Sequence, residues 1–253
     1  MKNDLLTIGG FTIHGYGLMI GLGIIAAYWM AEHRAGKKGL DSEVLVSIGI
    51  WGVAAGLLGA KLLYYITVFD EILADPKKLL DLGDGFVVYG GIIGGVLGGY
   101  VLSRVKRLPF LRYADLVMPS VALAQGFGRI GCFLAGCCYG LPTDSPFGIV
   151  FTSSDFAPNG VSLIPTQLIS SGLNFLHCAF LVWAASRMKT PGRVAALYLM
   201  CYSAGRFVLE FFRGDLIRGT VGTLSTSQFI SIFIFLLGAA LFLLCPRLAK
   251  RER

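Results

Sequence analysis

The run Gly128-Arg129-Ile130-Gly131-Cys132-Phe133-Leu134-Ala135-Gly136-Cys137-Cys138-Tyr139-Gly140 puts a guanidinium and three thiols at the end of an apolar stretch that begins near Leu116. An arginine at bilayer depth costs about 2.5–3.5 kcal/mol on insertion scales, so it must face other helices, a water-filled cavity or an anion. Two readings are open: a functional site, or a structural pair with a buried carboxylate. The flanking glycines let a neighbouring backbone or a ligand headgroup come close. A second constellation is Tyr202-x3-Arg206-x3-Glu210. Residues four apart share a helix face, so phenol, guanidinium and carboxylate stack along one stripe. On the plainest reading Glu210 neutralises Arg206. Arg129 and Arg206 against one evident intramembrane acid still leave a positive excess. That excess suits an anionic substrate, and a lipid phosphate, which arginine grips through paired hydrogen bonds, fits it.

The six cysteines divide into two groups. Cys178, Cys201 and Cys245 stand alone in apolar runs, where cysteine acts as a small hydrophobe. Cys132, Cys137 and Cys138 form a C-x4-C-C cluster that fits no common zinc spacing, and His14, His33 and His177 are remote in sequence. No metal and no cofactor is expected. The three thiols are candidates for reactivity, since a thiolate beside Arg129 would be nucleophilic.

Positioning these groups requires membrane helices. The chain of 253 residues is 55% hydrophobic and 15% charged, with mean hydropathy +0.70, whereas soluble domains carry about 25% charged residues. An all-α polytopic bundle, a single domain over residues 1–253, is expected, with seven spans near 13–31, 44–69, 87–102, 116–134, 166–186, 194–212 and 228–244. The first is too long and too rich in Gly and Tyr for a signal-peptide core and is read as a retained helix. A polar loop from Leu141 to Ile164 separates the fourth and fifth. The net charge of +7 sits in clusters at helix ends, a topology signal that argues against nucleic acid as partner. Fourteen basic residues fall on one side, including Arg34, Arg104, Arg187 and Arg247. Five fall on the other: Lys2, Lys77, Lys78, Arg213 and Arg218. The N-terminus is therefore expected outside and the C-terminus in the cytoplasm.

Other polar residues in the spans have plainer readings. Tyr16 fits an interfacial belt, and Lys61 fits a snorkelling ammonium. Gly90/Gly91, Gly94/Gly95 and Gly98/Gly99 make a close-packing face. No strand precedes them and no Lys-Ser/Thr follows, so they are not a nucleotide loop.

In the order Tyr16-Gly17, Gly90-Gly91, Gly128-Arg129-Ile130-Gly131…Gly140, Pro165-Thr166-Gln167-Leu168, Arg206-Phe207…Glu210-Phe211-Phe212-Arg213 and Leu224-Ser225…Gln228, the chain resembles bacterial prolipoprotein diacylglyceryl transferases over nearly its whole length. The resemblance implies a multi-pass enzyme of the bacterial cytoplasmic (inner) membrane. Such an enzyme moves a diacylglyceryl group from phosphatidylglycerol to the lipobox cysteine of a preprolipoprotein, and its partners are that signal peptide and membrane lipids. By position, Arg129 and Arg206 would hold the phosphate, Glu210 would orient Arg206, and Tyr16 and Tyr202 would line the headgroup cavity. Arg213 would stand at the outward-facing rim. Lys61, Gly90, Gly91, Cys132, Gly140 and Gln167 complete the implied substrate-binding set.

The chain departs from the pattern around the reacting thiol. A His expected before Gly-Gly is Tyr89, and a phenol titrating at about 10 is a weak base at neutral pH. The Asn after Arg-Ile-Gly is Cys132, a second Asn is Ala135, and an acidic position is Cys137. The His before Pro-Thr-Gln is Ile164, and the Arg of the second span is Lys61. A divergent transferase, with Tyr89 or water taking the thiol proton, accounts for this. So does a paralogue acting on another lipid or acceptor through its own cysteines, or a non-catalytic lipid-binding or transport protein. Against a transporter, no internal repeat is evident.

Overall fold

The computed structural model describes residues 4–8, 11–80, 83, 85–215 and 219–251. Lys2, Arg218 and Arg253, used in the charge count, lie outside the described residues. A short ribbon of β1 (Asp4–Ile8) and β2 (Phe11–His14) leads into α1 (Gly15–Lys38). There follow α2 (Glu43–Thr67), α3 (Phe69–Ala74), a 3-10 turn at Pro76–Leu80, α4 (Val88–Val105) and α5 (Phe110–Ala135). After a long connection containing β3 (Ile149–Val150) and β4 (Ser162–Leu163) come α6 (Thr166–Arg187) and α7 (Arg193–Glu210). The chain ends with β5 (Thr220–Val221), β6 (Leu224–Ser225) and α8 (Thr226–Arg251).

Each expected span is helical, and the three two-stranded ribbons are additions that hydropathy does not reveal. Among the described residues six helices, α1, α2, α4, α5, α6 and α8, are long and apolar enough to cross a membrane. The 18-residue α7 is not among them, because it carries Arg193, Arg206 and Glu210. Ile25, Trp29, Leu58, Ile66 and Leu243 are exposed on the outward faces of these helices, as a polytopic membrane protein requires. The fold is thus that of a helical, multi-pass membrane protein.

The chain forms two compact units, residues 1–34 with 111–253, and residues 35–110. In the second, α2 and α4 meet along their glycines. A methyl group on Gly59 would run into the Gly90 carbonyl and stand 2.9 Å from the Gly94 Cα. Only glycine permits that approach. The Val87 N–H donates to the Ala60 carbonyl at 3.2 Å, which fixes the start of α4 against α2.

In the larger unit Ala122, Cys178, Leu181, Ala185, Val194 and Tyr198 form a buried core between α5, α6 and α7. The Ser171 hydroxyl donates to the Gly126 carbonyl at 2.8 Å, tying α6 to α5. Asp115, buried near the start of α5, accepts from the N–H groups of Gly192 and Ala195, both at 2.8 Å. A carboxylate there satisfies orphan donors and matches the positive end of α7. The expected polar loop from Leu141 to Ile164 has a core of its own. Phe151 and Leu163 are fully buried with Phe133 and Ala157.

Replacing Gly90 with Val should overpack the α2–α4 contact, at a cost of about 1–3 kcal/mol. Gly99→Ala, where nothing lies within 4 Å of the added carbon, should not. Thermal unfolding in detergent checks this: the midpoint falls for the first variant and holds for the second.

Candidate active site

The end of α5 makes a tight reversal. The Gly136 N–H donates to Phe133 O and the Cys137 N–H to Cys132 O, both at 3.1 Å, and Gly136 has φ +77°. This is a Schellman cap, in which the residue after the left-handed glycine lies against the residue five earlier. The sulfur atoms of Cys132, Cys137 and Cys138 accordingly gather within 4.8 Å of one another. Cys138 itself adopts φ +60°, unusual for a residue with a side chain.

The first turn of α6 clamps this reversal. Gln167 Nε2 donates to the Cys137 carbonyl at 2.9 Å and the Thr166 hydroxyl to the Cys138 carbonyl at 3.0 Å. Beyond it the backbone at 139–142 is braced on both sides. The Leu141 N–H donates to Phe212 O at 3.0 Å and the Gly214 N–H to Tyr139 O at 3.0 Å, while the Ile164 N–H donates to Leu141 O at 2.9 Å. Gly140 sits at the crossing. A side chain there would strike the Ile164 carbonyl and come within 2.9 Å of Thr166 Cγ2.

This brace sets Arg213. The guanidinium is buried, with only 7% of the residue exposed, rather than lying at an open rim. It forms a fork on Asp215, Nε to Oδ1 at 2.8 Å and Nη2 to Oδ2 at 2.6 Å, and it hydrogen-bonds Cys138. Arg206 pairs with Glu210 at 2.8 Å and donates to the Ser227 hydroxyl at 2.9 Å. Glu210 is held in turn by the Ser225 hydroxyl at 3.0 Å. Ser225 and Gln228 form a reciprocal capping box at the start of α8, with both bonds at 3.1 Å.

Arg129, Arg206 and Arg213 all line a cavity of about 320 Å³, together with Cys138, Gln167 and Tyr202. Arg206 and Arg213 have carboxylate partners. Among the described residues, none of the ion pairs involves Arg129. Tyr16, at the start of α1, lies against Gly131, where an added methyl would come within 3.2 Å of its ring. Tyr202 stacks on Tyr198 at 5.8 Å, and Tyr198 stacks on His177 at 5.3 Å. His177 lines the same cavity, and its buried Nε2 has no hydrogen-bond partner.

Lys61, Tyr89, Gly90 and Gly91 belong to the smaller unit. The Lys61 ammonium does not snorkel. Lys61 is buried, with the nitrogen over the rings of Tyr64, Tyr65 and Phe86 at 5.1, 5.1 and 5.2 Å, a cation–π arrangement. Gly90 is buried against α2, and Tyr89 is partly exposed in the first turn of α4.

The prolipoprotein diacylglyceryl transferase profile matches residues 3–244. The phosphatidylglycerol–prolipoprotein diacylglyceryl transferase of Clostridium tetani is 49% identical over 242 residues, covering 96% of this chain and 97% of the relative. A second such enzyme, from Clostridium perfringens, is 48% identical over 243 residues, covering 96% and 94%. That of Finegoldia magna is 33% identical, covering 95% and 94%. The chain belongs to the prolipoprotein diacylglyceryl transferase family. Of the residues on which the resemblance rests, Arg129, Thr166, Gln167, Arg206 and Arg213 line the cavity.

Several supports escape a motif reading. Asp115 stands where only the tertiary structure supplies its partners, the N–H groups of Gly192 and Ala195. Ser225-x2-Gln228 is a capping box in sequence, and Gly136 with cysteines on both sides is a legible helix stop. Neither spacing says that Ser225 also holds Glu210.

The thiols differ in acidity. Hydrogen bonds with Cys132 and Cys137, followed by the charges of Arg213 and Arg129, hold the Cys138 thiol far below the ordinary thiol range. Hydrogen bonds with Cys132 and Cys138, then burial, push Cys137 up. A lowered value keeps the thiolate as pH falls, whereas an ordinary thiol is less than about 1% ionised at about pH 6. At that pH Cys138 should be alkylated at least about tenfold faster than Cys137. Peptide mapping after a short pulse of reagent checks it, and equal labelling would place the thiolate elsewhere.

Proposed function

We propose that this chain is a phosphatidylglycerol–prolipoprotein diacylglyceryl transferase, with the lipid phosphate bound between Arg129, Arg206 and Arg213. The reading includes seven spans in the bacterial cytoplasmic membrane, the N-terminus outside, and one transferase domain over the whole chain. The observation that carries it is Arg129: a half-buried guanidinium on the cavity wall with no carboxylate partner among the described residues, beside two arginines that have one. A guanidinium so placed favours an anion in the cavity.

The charge change in the reaction matches that arrangement. The sulfur of the lipobox cysteine attacks the glyceryl carbon that bears the phosphate, the C–S bond forms, and the C–O bond breaks. Glycerol phosphate leaves with the bonding pair. The phosphate goes from a singly charged diester to a doubly charged monoester, and the thiol proton goes to water. An unpartnered guanidinium therefore interacts more strongly with the leaving group than with the substrate, which is the condition for lowering the barrier. Glu210, held by Ser225, fixes the direction of Arg206. Gln167 and Gly140 act through the backbone they position. Tyr16 and Tyr202 bound the headgroup region, and Lys61, Gly90 and Gly91 support the start of α4, where Tyr89 stands.

A second reading, transfer to the protein's own thiol, has one observation behind it: Cys138 lines the same cavity as the arginines. Purified protein in phosphatidylglycerol vesicles with a lipobox peptide separates the two. A diacylglyceryl mass gain on the peptide supports the transferase; a gain on Cys132, Cys137 or Cys138 alone supports the other.

Arg129→Ala and Arg206→Ala should each lower turnover by about 10²–10³-fold, the scale for losing one donor to a developing anion. Both variants should remain folded in the membrane, and wild-type rates in both would sink the phosphate clamp. Cys132→Asn should retain transfer to the peptide.

A further inference from the structure

The C-x4-C-C spacing fits no common zinc pattern, yet the fold brings its sulfur atoms together. In a centre with metal–sulfur bonds of about 2.3 Å, the sulfurs stand about 4 Å apart. The three here lie within 4.8 Å of one another, a difference that side-chain rotation covers. The Schellman cap creates the Cys132–Cys137 contact, and the left-handed backbone at Cys138 turns the third sulfur toward the pair. The carbonyls of Cys137 and Cys138 are held by Gln167 and Thr166. Those bonds fix the backbone from which two of the sulfurs project.

Charge also favours the site. Three thiolates and one divalent cation sum to a single negative charge. Arg213 hydrogen-bonds Cys138, and both Arg213 and Arg129 lie within electrostatic reach of it. An anionic centre is therefore stabilised where a bare cation would be repelled.

We infer that Cys132, Cys137 and Cys138 form a three-thiolate site for a thiophilic divalent cation of the Zn(II) type, set in the wall of the cavity. Binding converts each thiol to a thiolate and releases up to three protons to solvent. No sulfur changes oxidation state. Because Cys138 lines the cavity, the fourth coordination position can be filled from it by water, as in open zinc sites. The inference stands whether or not the arginines bind lipid phosphate.

The test uses full-length reduced protein in detergent, titrated with Cd(II) and followed by sulfur-to-cadmium charge-transfer absorption, with Zn(II) as competitor. One equivalent should bind, and Zn(II) should displace it. Cys132→Ser, Cys137→Ser and Cys138→Ser should each lose about 100-fold or more in affinity, since even outer-shell losses cost 10–100-fold. A variant lacking Cys178, Cys201 and Cys245 should bind as the wild type does. X-ray absorption of the zinc-loaded wild type supplies a measurement that needs no variant, and should find three sulfur neighbours at about 2.3 Å. No stoichiometric uptake, uptake unchanged in all three single variants, or fewer than three sulfur neighbours would overturn the assignment.

Discussion

A guanidinium that no carboxylate among the described residues neutralises, set in a region of low dielectric, constrains everything near it. Coulomb forces there are strong and water is scarce, so each buried charge is matched or waits for a ligand. Arg206 is matched by Glu210 and Arg213 by Asp215. Arg129 is left as the charge in excess, on a cavity large enough for a headgroup. The two matched pairs matter to that excess. Three guanidiniums against two carboxylates leave one positive charge whichever pairs form, and these two pairs decide that it falls on Arg129.

Keeping the carboxylates on their own partners is the work of local backbone devices. Asp215 is two residues from Arg213 and meets it in a fork, which leaves little freedom to reach elsewhere. Glu210 is one helical turn from Arg206 and is pinned from the other side by Ser225. The capping box of α8 thus has a second use beyond starting the helix. Arg213 in turn depends on the brace between the backbone at 139–142 and at 212–214, and that brace depends on the absence of a side chain at Gly140. The chain of dependence runs from a glycine to a backbone ladder to a guanidinium.

These dependences explain what was legible in the sequence and what was not. Apolar runs give the helices because lipid-facing residues need no partner to reveal them. Arg129, Arg206 and Glu210 stand out because charge at bilayer depth is costly. The apolar character of α7 is muted for the same reason, since Arg193, Arg206 and Glu210 lower its hydropathy. For Lys61 the snorkelling reading fails, and its burial is not legible in the sequence. Nothing in its neighbours says that Phe86, remote in sequence, closes an aromatic pocket over it with Tyr64 and Tyr65. Asp115 looks like an ordinary interfacial acid until α7 is seen to start on it. Partners supplied by another helix leave no local trace.

The cysteines show how a local motif can carry long-range meaning. In a Schellman cap the residue three before the capping position and the residue two after it touch by construction, so positions 132 and 137 are one site in two places. Family resemblance places an Asn at the first and an acid at the second, a pair able to hydrogen-bond across that contact. This chain has sulfur at both, and a third sulfur at Cys138 completes the set. The two departures are therefore a single change of chemistry at one contact. The thiols stand beside guanidiniums that can tune their acidity, on a backbone held from Gly136 to the clamp of Thr166 and Gln167.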